Sequence, residues 1–300
     1  MNKVMKKFSI LKNLLRFFKK SFKFDELVKI AVLARCKDEF FVEEFVKYYL
    51  SQGIDKVYII DDDSNDKSIY DNLLNNPRVK IFFSKNITKG DDIVNEIYNK
   101  IKDKFTWLIY VDVDEFITTK RKINNTIRDE LETTFRNVHC VKVPWVMMSC
   151  NSLEKNPKSI LQTNIYRWNH DLKHENNDKR KFKCRYDQIE VKSIFKPKFF
   201  KKLTDHHPNK DKRYLNSIVV DSIKLGNLRG SFYNNLREKD IREGHLLCYH
   251  YRLISIENCK NKLKTNRWYI DDGYTLQDLL SSDCPEIKDE TLKKKSLKIR

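Results

Sequence analysis

Glycine and proline are scarce, six of each in 300 residues. So low a content excludes collagen-like repeats and Gly/Pro-rich low-complexity chains. No apolar run approaches the ~18 residues that a membrane-spanning helix needs, and the N-terminal stretch has no uncharged hydrophobic core of the secretory kind. The seven cysteines (Cys36, Cys140, Cys150, Cys184, Cys248, Cys259 and Cys284) contain no Cys-x-x-Cys pair, and their number is odd. That pattern argues against a disulfide framework or a clustered zinc site, and for thiols used as small core residues in a reducing compartment. Cytoplasmic residence is the resulting expectation.

What is present is a globular composition, 40% hydrophobic, with a formal net charge of +18. A chain this long can bury roughly three quarters of its unfolded surface and fold alone. The basic balance suggests an anionic partner: nucleic acid, an acidic membrane or a phosphorylated small molecule. Part of the charge sits in residues 1–29, where nine Lys/Arg face only Asp25 and Glu26. There Leu11, Leu14, Leu15, Phe18 and Phe22 recur at helical spacing between Lys12, Arg16, Lys19, Lys20 and Lys23. The pattern suits peripheral membrane contact through residues 1–23, or a helix docked on its own domain. The Lys-rich tail from Lys288 to Arg300 reads as solvated.

From Val28 onward, short apolar runs alternate with helical stretches: Ile30–Ala34, then 40–52; Val57–Ile60, then 68–74; Val79–Phe83, then 93–101; then Leu108–Val111. That rhythm predicts βαβ units and an α/β fold with a mainly parallel, Rossmann-like central sheet flanked by helices. Three of the strands end in polar residues: Arg35, the run Asp61-Asp62-Asp63-Ser64, and Asp112-Val113-Asp114-Glu115. Ligands of open α/β sheets bind at that edge, so these segments converge on one expected crevice. After Phe116 the rhythm changes. Residues 126–135 read as a helix, 141–148, 190–195, 218–223 and 246–251 as strands, and 169–186 as a polar loop. The organisation expected is a basic leader (1–27), one domain (28–265) with halves at 28–120 and 121–265, and a helical or flexible basic tail (266–300).

Asp112 and Asp114 lie two apart after the apolar strand 107–111 and before the apolar Phe116-Ile117. Two acids in such a segment cost several kcal/mol unless a cation compensates. At an edge turn both can meet one hard ion, Mg²⁺ or Mn²⁺, able to bridge a diphosphate. A helix cap or a structural ion pair is the alternative.

The segments Ile30 to Glu39, Val57 to Asp66 and Trp107 to Phe116, in this order and spacing, resemble the successive signatures of family 2 glycosyltransferases with the GT-A fold. The wording Arg35-Cys36-Lys37-Asp38-Glu39 and Val111-Asp112-Val113-Asp114-Glu115-Phe116 is similar to the branch related to family 92. Looser likeness continues through Lys192 to Pro197, His206, His250-Tyr251-Arg252 and Lys262, so that it spans about residues 28–265. The resemblance implies a donor half at 28–120 and an acceptor half at 121–265. It implies transfer of a sugar from a nucleotide-diphosphate donor to a hydroxyl of a glycan, glycoprotein or lipid, with inversion and with Mn²⁺ or Mg²⁺ as cofactor. Asp61 or Asp62 would then meet the nucleobase or ribose, Arg35 would pair with a phosphate or brace Asp61, an ordinary ion pair being its alternative, and Lys89-Gly90 and Asn95 would lie near the donor. Asp112 and Asp114 would hold the metal and through it the diphosphate, with His250, or alternatively His206, completing its coordination. The acceptor's proton needs a carboxylate, for which Asp187, Glu190, Asp205 and Asp221 stand as equal candidates. Asp63 occupies a position where many relatives carry glycine, so a different backbone turn is expected there. The rival readings are a nucleotide-sugar-binding protein without turnover, a nucleic-acid binder using Trp168, Tyr186 and Trp268, and a membrane-peripheral scaffold resting on residues 1–23.

Overall fold

A computed structural model describes residues 27–84, 90–172, 188–204, 207–209 and 215–297. The leader's expected amphipathic helix therefore lies outside the described residues. The strands in chain order are β1 (Ile30–Cys36), β2 (Lys56–Asp62), β3 (Val79–Ser84), β4 (Trp107–Asp112), β5 (Glu115–Thr119), β6 (Cys140–Ser149), β7 (Tyr166–Arg167), β8 (Gln188–Phe195), β9 (Leu203–Thr204), β10 (His207–Pro208), β11 (Val219–Asp221), β12 (Phe232–Asn234), β13 (Leu246–His250) and β14 (Ile287–Lys288). The helices are α1 (Val42–Ser51), α2 (Gly90–Ile101), α3 (Ile127–Glu132), α4 (Ile160–Thr163), α5 (Glu238–Glu243), α6 (Ile256–Thr265), α7 (Arg267–Asp271), α8 (Leu276–Leu280) and α9 (Thr291–Ser296).

The central sheet runs β14-β7-β6-β8-β4-β1-β2-β3. Its first half is parallel, β3 with β2, β2 with β1 and β1 with β4. Strand β8 then inserts antiparallel between β4 and β6. The expected mainly parallel sheet is thus found in residues 28–120, and antiparallel pairing enters with the second half of the chain. Strand β1 is central and buried on both faces, which explains its unbroken apolar run Ile30–Ala34.

Helix α1 covers one face through Val42, Phe45, Val46, Tyr48 and Tyr49. Its two tyrosines do more than fill space. Tyr48 Oη donates to the carbonyl of Ile117 (2.9 Å) and Tyr49 Oη to that of Glu115 (2.9 Å), while Tyr49 Oη accepts from Ile117 N–H (3.0 Å). Phe116 packs among their rings. The start of β5 is thereby fixed directly beneath the 112–115 turn. Helix α2 covers the other face with Val94, Ile97, Tyr98 and Ile101. Between α1 and β2 the chain turns at Gly53 (φ +82°), where a Cβ would stand 2.8 Å from Cβ of Arg128. Glycine is required there on both counts.

Three expectations need correction. Residues 68–73 form a 3₁₀ segment in place of an α-helix. Helix α3 stops at Glu132, where the β-branched pair Thr133-Thr134 follows and Thr133 Oγ1 turns back to the carbonyl of Asp129 (2.5 Å). The tail is not a solvated appendage: Thr291, Leu292, Lys295 and Ser296 of α9 are buried. Lys295 Nζ reaches Thr119 Oγ1 (2.6 Å) and the carbonyl of Asn125 (2.9 Å). A long amphipathic stem that buries its methylenes and pairs its tip looks identical, in sequence, to a solvent-facing lysine.

Candidate active site

The register of the parallel strands sets Arg35 opposite Asp112 and Cys36 opposite Asp61, so the polar strand ends form one row at the carboxyl edge. Two loops above this row are tied together. Asp38 N–H donates to Ser64 Oγ (2.9 Å), and Asn65 N–H donates to Asp38 Oδ1 (2.6 Å). Asp63 adopts φ +55°. It takes the left-handed conformation that a glycine would favour, which Asp tolerates better than most side chains.

Adjacent residues on a strand face opposite sides, and this separates the two acids at the end of β2. Asp61 is buried and bonded to Lys67 Nζ, Tyr70 Oη (2.7 Å) and Ser64 N–H (3.3 Å). Burial works to raise its pKa, but Lys67, Ser64 and Tyr70 hold it below the ordinary carboxylate value. Asp62 faces the charges of Arg35 and Lys37, and burial raises its pKa. Arg35 Nε donates to Asp112 Oδ1 (3.0 Å).

The 112–115 turn joins β4 to β5 and carries the densest charge of the rim. Lys192, from β8, donates to Asp112 Oδ2 (2.8 Å) and lies 3.0 Å from Glu115 Oε2. Glu115 Oε2 also accepts the N–H of Asp112 (2.8 Å). Lys262, from α6, bridges Asp114 Oδ2 (3.0 Å) and Glu39 Oε1 (3.1 Å). Ser255 caps α6 by accepting from Asn258 N–H (2.9 Å), which orients the helix so that Asn258, Cys259 and Lys262 face inward. Strand β13 brings His250 to Asp114, with Nε2 3.7 Å from Oδ1, and Tyr251 N–H donates to the carbonyl of Asp114 (2.8 Å).

Burial dominates the proton affinities of this group. It pushes Glu39 up to about 7 and Glu115 up to about 8, against the pull of Lys262 and Lys192 respectively. Burial also raises Asp114, but the Lys262 ammonium overrides it and keeps this carboxylate below its usual range. Burial lowers His250 to about 3, leaving its imidazole neutral. Both lysines are held above the ordinary value despite burial, by their acids.

Asp114 and His250 are the residues of this group that would meet a divalent ion. Asp112 has a cation on each oxygen, whereas Asp114 Oδ1 and the neutral His250 Nε2 face each other. Two ligands 3.7 Å apart can share an ion through bonds of about 2.1 Å each. Three buried polar atoms around them, Glu39 Oε2, Glu115 Oε1 and His250 Nδ1, have no hydrogen-bond partner among the described residues. Mg²⁺ and Mn²⁺ commonly take one or two protein ligands and fill the rest of their shell with water and phosphate oxygens. Among the described residues, no three His, Cys, Asp or Glu side chains converge as a complete metal site.

The remaining expected residues divide plainly. Glu190 is on β8, two positions from Lys192 and on the same face. Extending the register from Tyr110 opposite Ser193 puts it one position past Asp112, at the rim. The Asp221 carboxylate accepts from the N–H groups of Ile223 (2.8 Å), Lys224 (2.6 Å) and Gly226 (2.8 Å), closing its own turn. Asn95 likewise serves the fold, exchanging two bonds with the backbone of Leu203 (2.9 and 2.7 Å). Asp187, Asp205, Lys89 and His206 lie outside the described residues. Lys192, Glu115, Glu39 and Lys262 were not singled out as site residues from sequence, although a lysine in a short strand beside Val191, Ile194 and Phe195 is a signal of buried charge.

No protein-family model matches the chain, and no curated protein matches it. Among solved structures, it is similar to a candidate glucose-1-phosphate thymidylyltransferase of Bacillus anthracis, crystallised in complex with sucrose. The identity is 8% and the TM-score 0.38, over 72% of this chain and 93% of the other. Nothing about the site follows from so distant a likeness. No helix among the described residues is long and apolar enough to cross a membrane.

Proposed function

We propose that the protein transfers a glycosyl group from a nucleoside-diphosphate sugar to an acceptor hydroxyl, with inversion at the anomeric carbon. The observation that carries this reading is the convergence of Arg35, Asp62, Asp112, Asp114, Lys192, Lys262 and His250 at the carboxyl edge of a parallel sheet. That edge is where α/β sheets bind phosphorylated ligands. Asp62 accepts hydrogen bonds from the donor's ribose or base. Asp112 holds Arg35 and Lys192 toward the diphosphate, whose leaving charge they stabilise. Asp114 and His250 hold Mn²⁺ or Mg²⁺, which supplies Lewis-acid stabilisation of that same charge. Glu190 takes the proton from the acceptor hydroxyl as its oxygen attacks C1 and the bond from C1 to the phosphate oxygen breaks.

Thermal-shift measurements with a panel of nucleoside diphosphates, each with and without Mn²⁺, test this reading. One nucleotide should raise the unfolding midpoint, and more so when Mn²⁺ is present. Absence of a shift with every nucleotide would remove the donor assignment. Glu190→Gln should leave that shift intact while transfer falls on the order of 10²-fold or more.

A further inference from the structure

At the edge of the sheet away from the rim, charge of one sign collects. Ile30 and Trp107 face each other there, five residues before the pair Arg35 and Asp112, which is about 17 Å along the strands. Cys140, Phe195 and Val219 begin or end their strands at the same edge. The segments just beyond carry Lys104, Arg136, Lys196, Lys198, Lys201 and Lys202, all exposed except Lys196, which is half-buried. Asp103 is an exposed acid among them, and the neighbouring Asp55 and Glu132 are both held by Arg128 (2.7 and 3.0 Å).

These cations crowd one another. Lys196 Nζ donates to the carbonyl of Arg136 (2.6 Å) and lies 4.9 Å from the centre of the Trp107 ring. The His139 ring stacks on Phe199 (3.8 Å between centroids), and Lys198 lies 5.2 Å from the centre of the same phenyl ring. Burial lowers the pKa of Lys196, and the charges of Lys198 and Arg136 lower it further; burial, Lys196 and Lys198 do the same to His139. An array of anions relieves such mutual repulsion.

Two aliphatic side chains stand among the charges. Ile218 is 51% exposed, and its N–H donates to His139 Nδ1 (3.0 Å); Leu27 is 77% exposed. Lys29, two residues after Leu27, is bonded into the edge, its N–H donating to Thr106 Oγ1 (3.2 Å) and its carbonyl accepting from Trp107 N–H (3.1 Å). The leader, whose residues 1–23 hold eight Lys/Arg and no acid, therefore joins the domain beside the lysines.

We propose that this edge docks on an anionic lipid bilayer, leaving the 112–115 turn facing away from the membrane. The proposal does not use the glycosyltransferase reading. Each Lys or Arg held near an anionic leaflet contributes about 1 kcal/mol, and exposed aliphatics can enter the boundary between headgroups and acyl chains. A basic patch alone binds membranes weakly, so a second basic, apolar segment attached beside it adds what stable contact needs. Single-stranded nucleic acid would instead use open aromatic faces for its bases. Here Trp107 is 1% exposed and Phe199 already carries His139.

The test is co-sedimentation of the full chain with vesicles of phosphatidylcholine alone and of phosphatidylcholine with phosphatidylserine in a four-to-one mixture. The chain should bind the mixed vesicles and not the neutral ones, and less tightly as salt rises. Combining Lys198→Glu, Lys201→Glu and Lys202→Glu should weaken binding roughly tenfold or more, and Ile218→Ser should weaken it less. Combining Lys260→Glu, Lys264→Glu and Arg267→Glu, exposed residues of α6 and α7 beside the rim, changes net charge equally and should leave binding within about twofold, since these residues face away from the bilayer. On the vesicle Trp268, 48% exposed and on that same surface, should stay open to acrylamide quenching. Circular dichroism checks that each variant is folded. No binding to the mixed vesicles, or equal losses in the two triple variants, overturns the proposal. Protection of Trp268 by vesicles does so as well, as does tighter binding of the edge to duplex DNA than to the mixed vesicles.

Discussion

Two clusters of buried charge lie on opposite faces of strand β13, and they differ in how completely they are closed. Tyr249 points one way, to Asp289 Oδ2 (2.9 Å); the next residue, His250, points the other way, to Asp114. Around Asp289 the bonds close. It accepts from Lys120 Nζ (3.0 Å), Arg167 Nε (2.9 Å) and Thr291 N–H (3.0 Å), while the Arg167 guanidinium forms two 2.7 Å bonds to Glu238. Around Asp114 they do not close: Glu39, Glu115 and His250 each keep a buried polar atom without a partner among the described residues. At this rim the side chains of Arg35 and Asp112 are 32% and 29% exposed, against 4% for both Arg167 and Asp289. A saturated ion cluster pins the C-terminal segment to the sheet. An unsaturated one at a sheet edge has bonding capacity left for a ligand.

The largest expected effect separates the two clusters by function. Asp114→Asn should lower sugar transfer on the order of 10³-fold while shifting the unfolding midpoint by only a few degrees. A comparable loss of stability would show the rim to be a clamp like the other cluster. Asp289→Ala should do the reverse, costing about 3–5 kcal/mol of stability in urea unfolding because Lys120 and Arg167 lose a buried partner. A cost below about 1 kcal/mol would mean that the tail is not held by this network.

The third difference is in pH. Lys120 and Arg167, with Thr291, hold the Asp289 carboxyl well below its usual range against burial. Its folded pKa is depressed, so its stabilisation is present above the unfolded value near 4 and is lost as pH falls. Glu39 and Glu115 have raised folded values, about 7 and about 8. Their contribution is full below the unfolded value near 4.3 and is lost as pH rises through those values. Stability should therefore decline between pH 5 and 8, by at most ~1.4 kcal/mol per pH unit for each group. In Glu115→Gln the decline should be shallower, and an unchanged slope would contradict the assignment.

How legible this was in the sequence depended on whether the information was local. Strands β1, β2 and β4 are continuous apolar runs because both their faces are covered, and acids at their ends stand out against that background. Asp112 and Asp114 were readable for this reason. Asp61 and Asp62 were not separable, since only the strand's facing tells the enclosed acid from the open one. Lys192 and Lys262 come to the rim through the pairing of β8 with β4 and the placement of α6, long-range facts that no local pattern carries. The tail was misread because Lys295 counts as surface charge in any composition, although its stem is covered.

The most direct measurement is anomalous diffraction from crystals soaked with Mn²⁺ and the nucleoside diphosphate that gives the largest thermal shift. The account predicts a manganese peak within bonding distance of Asp114 Oδ1 and His250 Nε2, with the diphosphate reaching toward Arg35 and Lys192. A nucleotide bound away from the 112–115 turn, or manganese bound elsewhere on the chain, would contradict it.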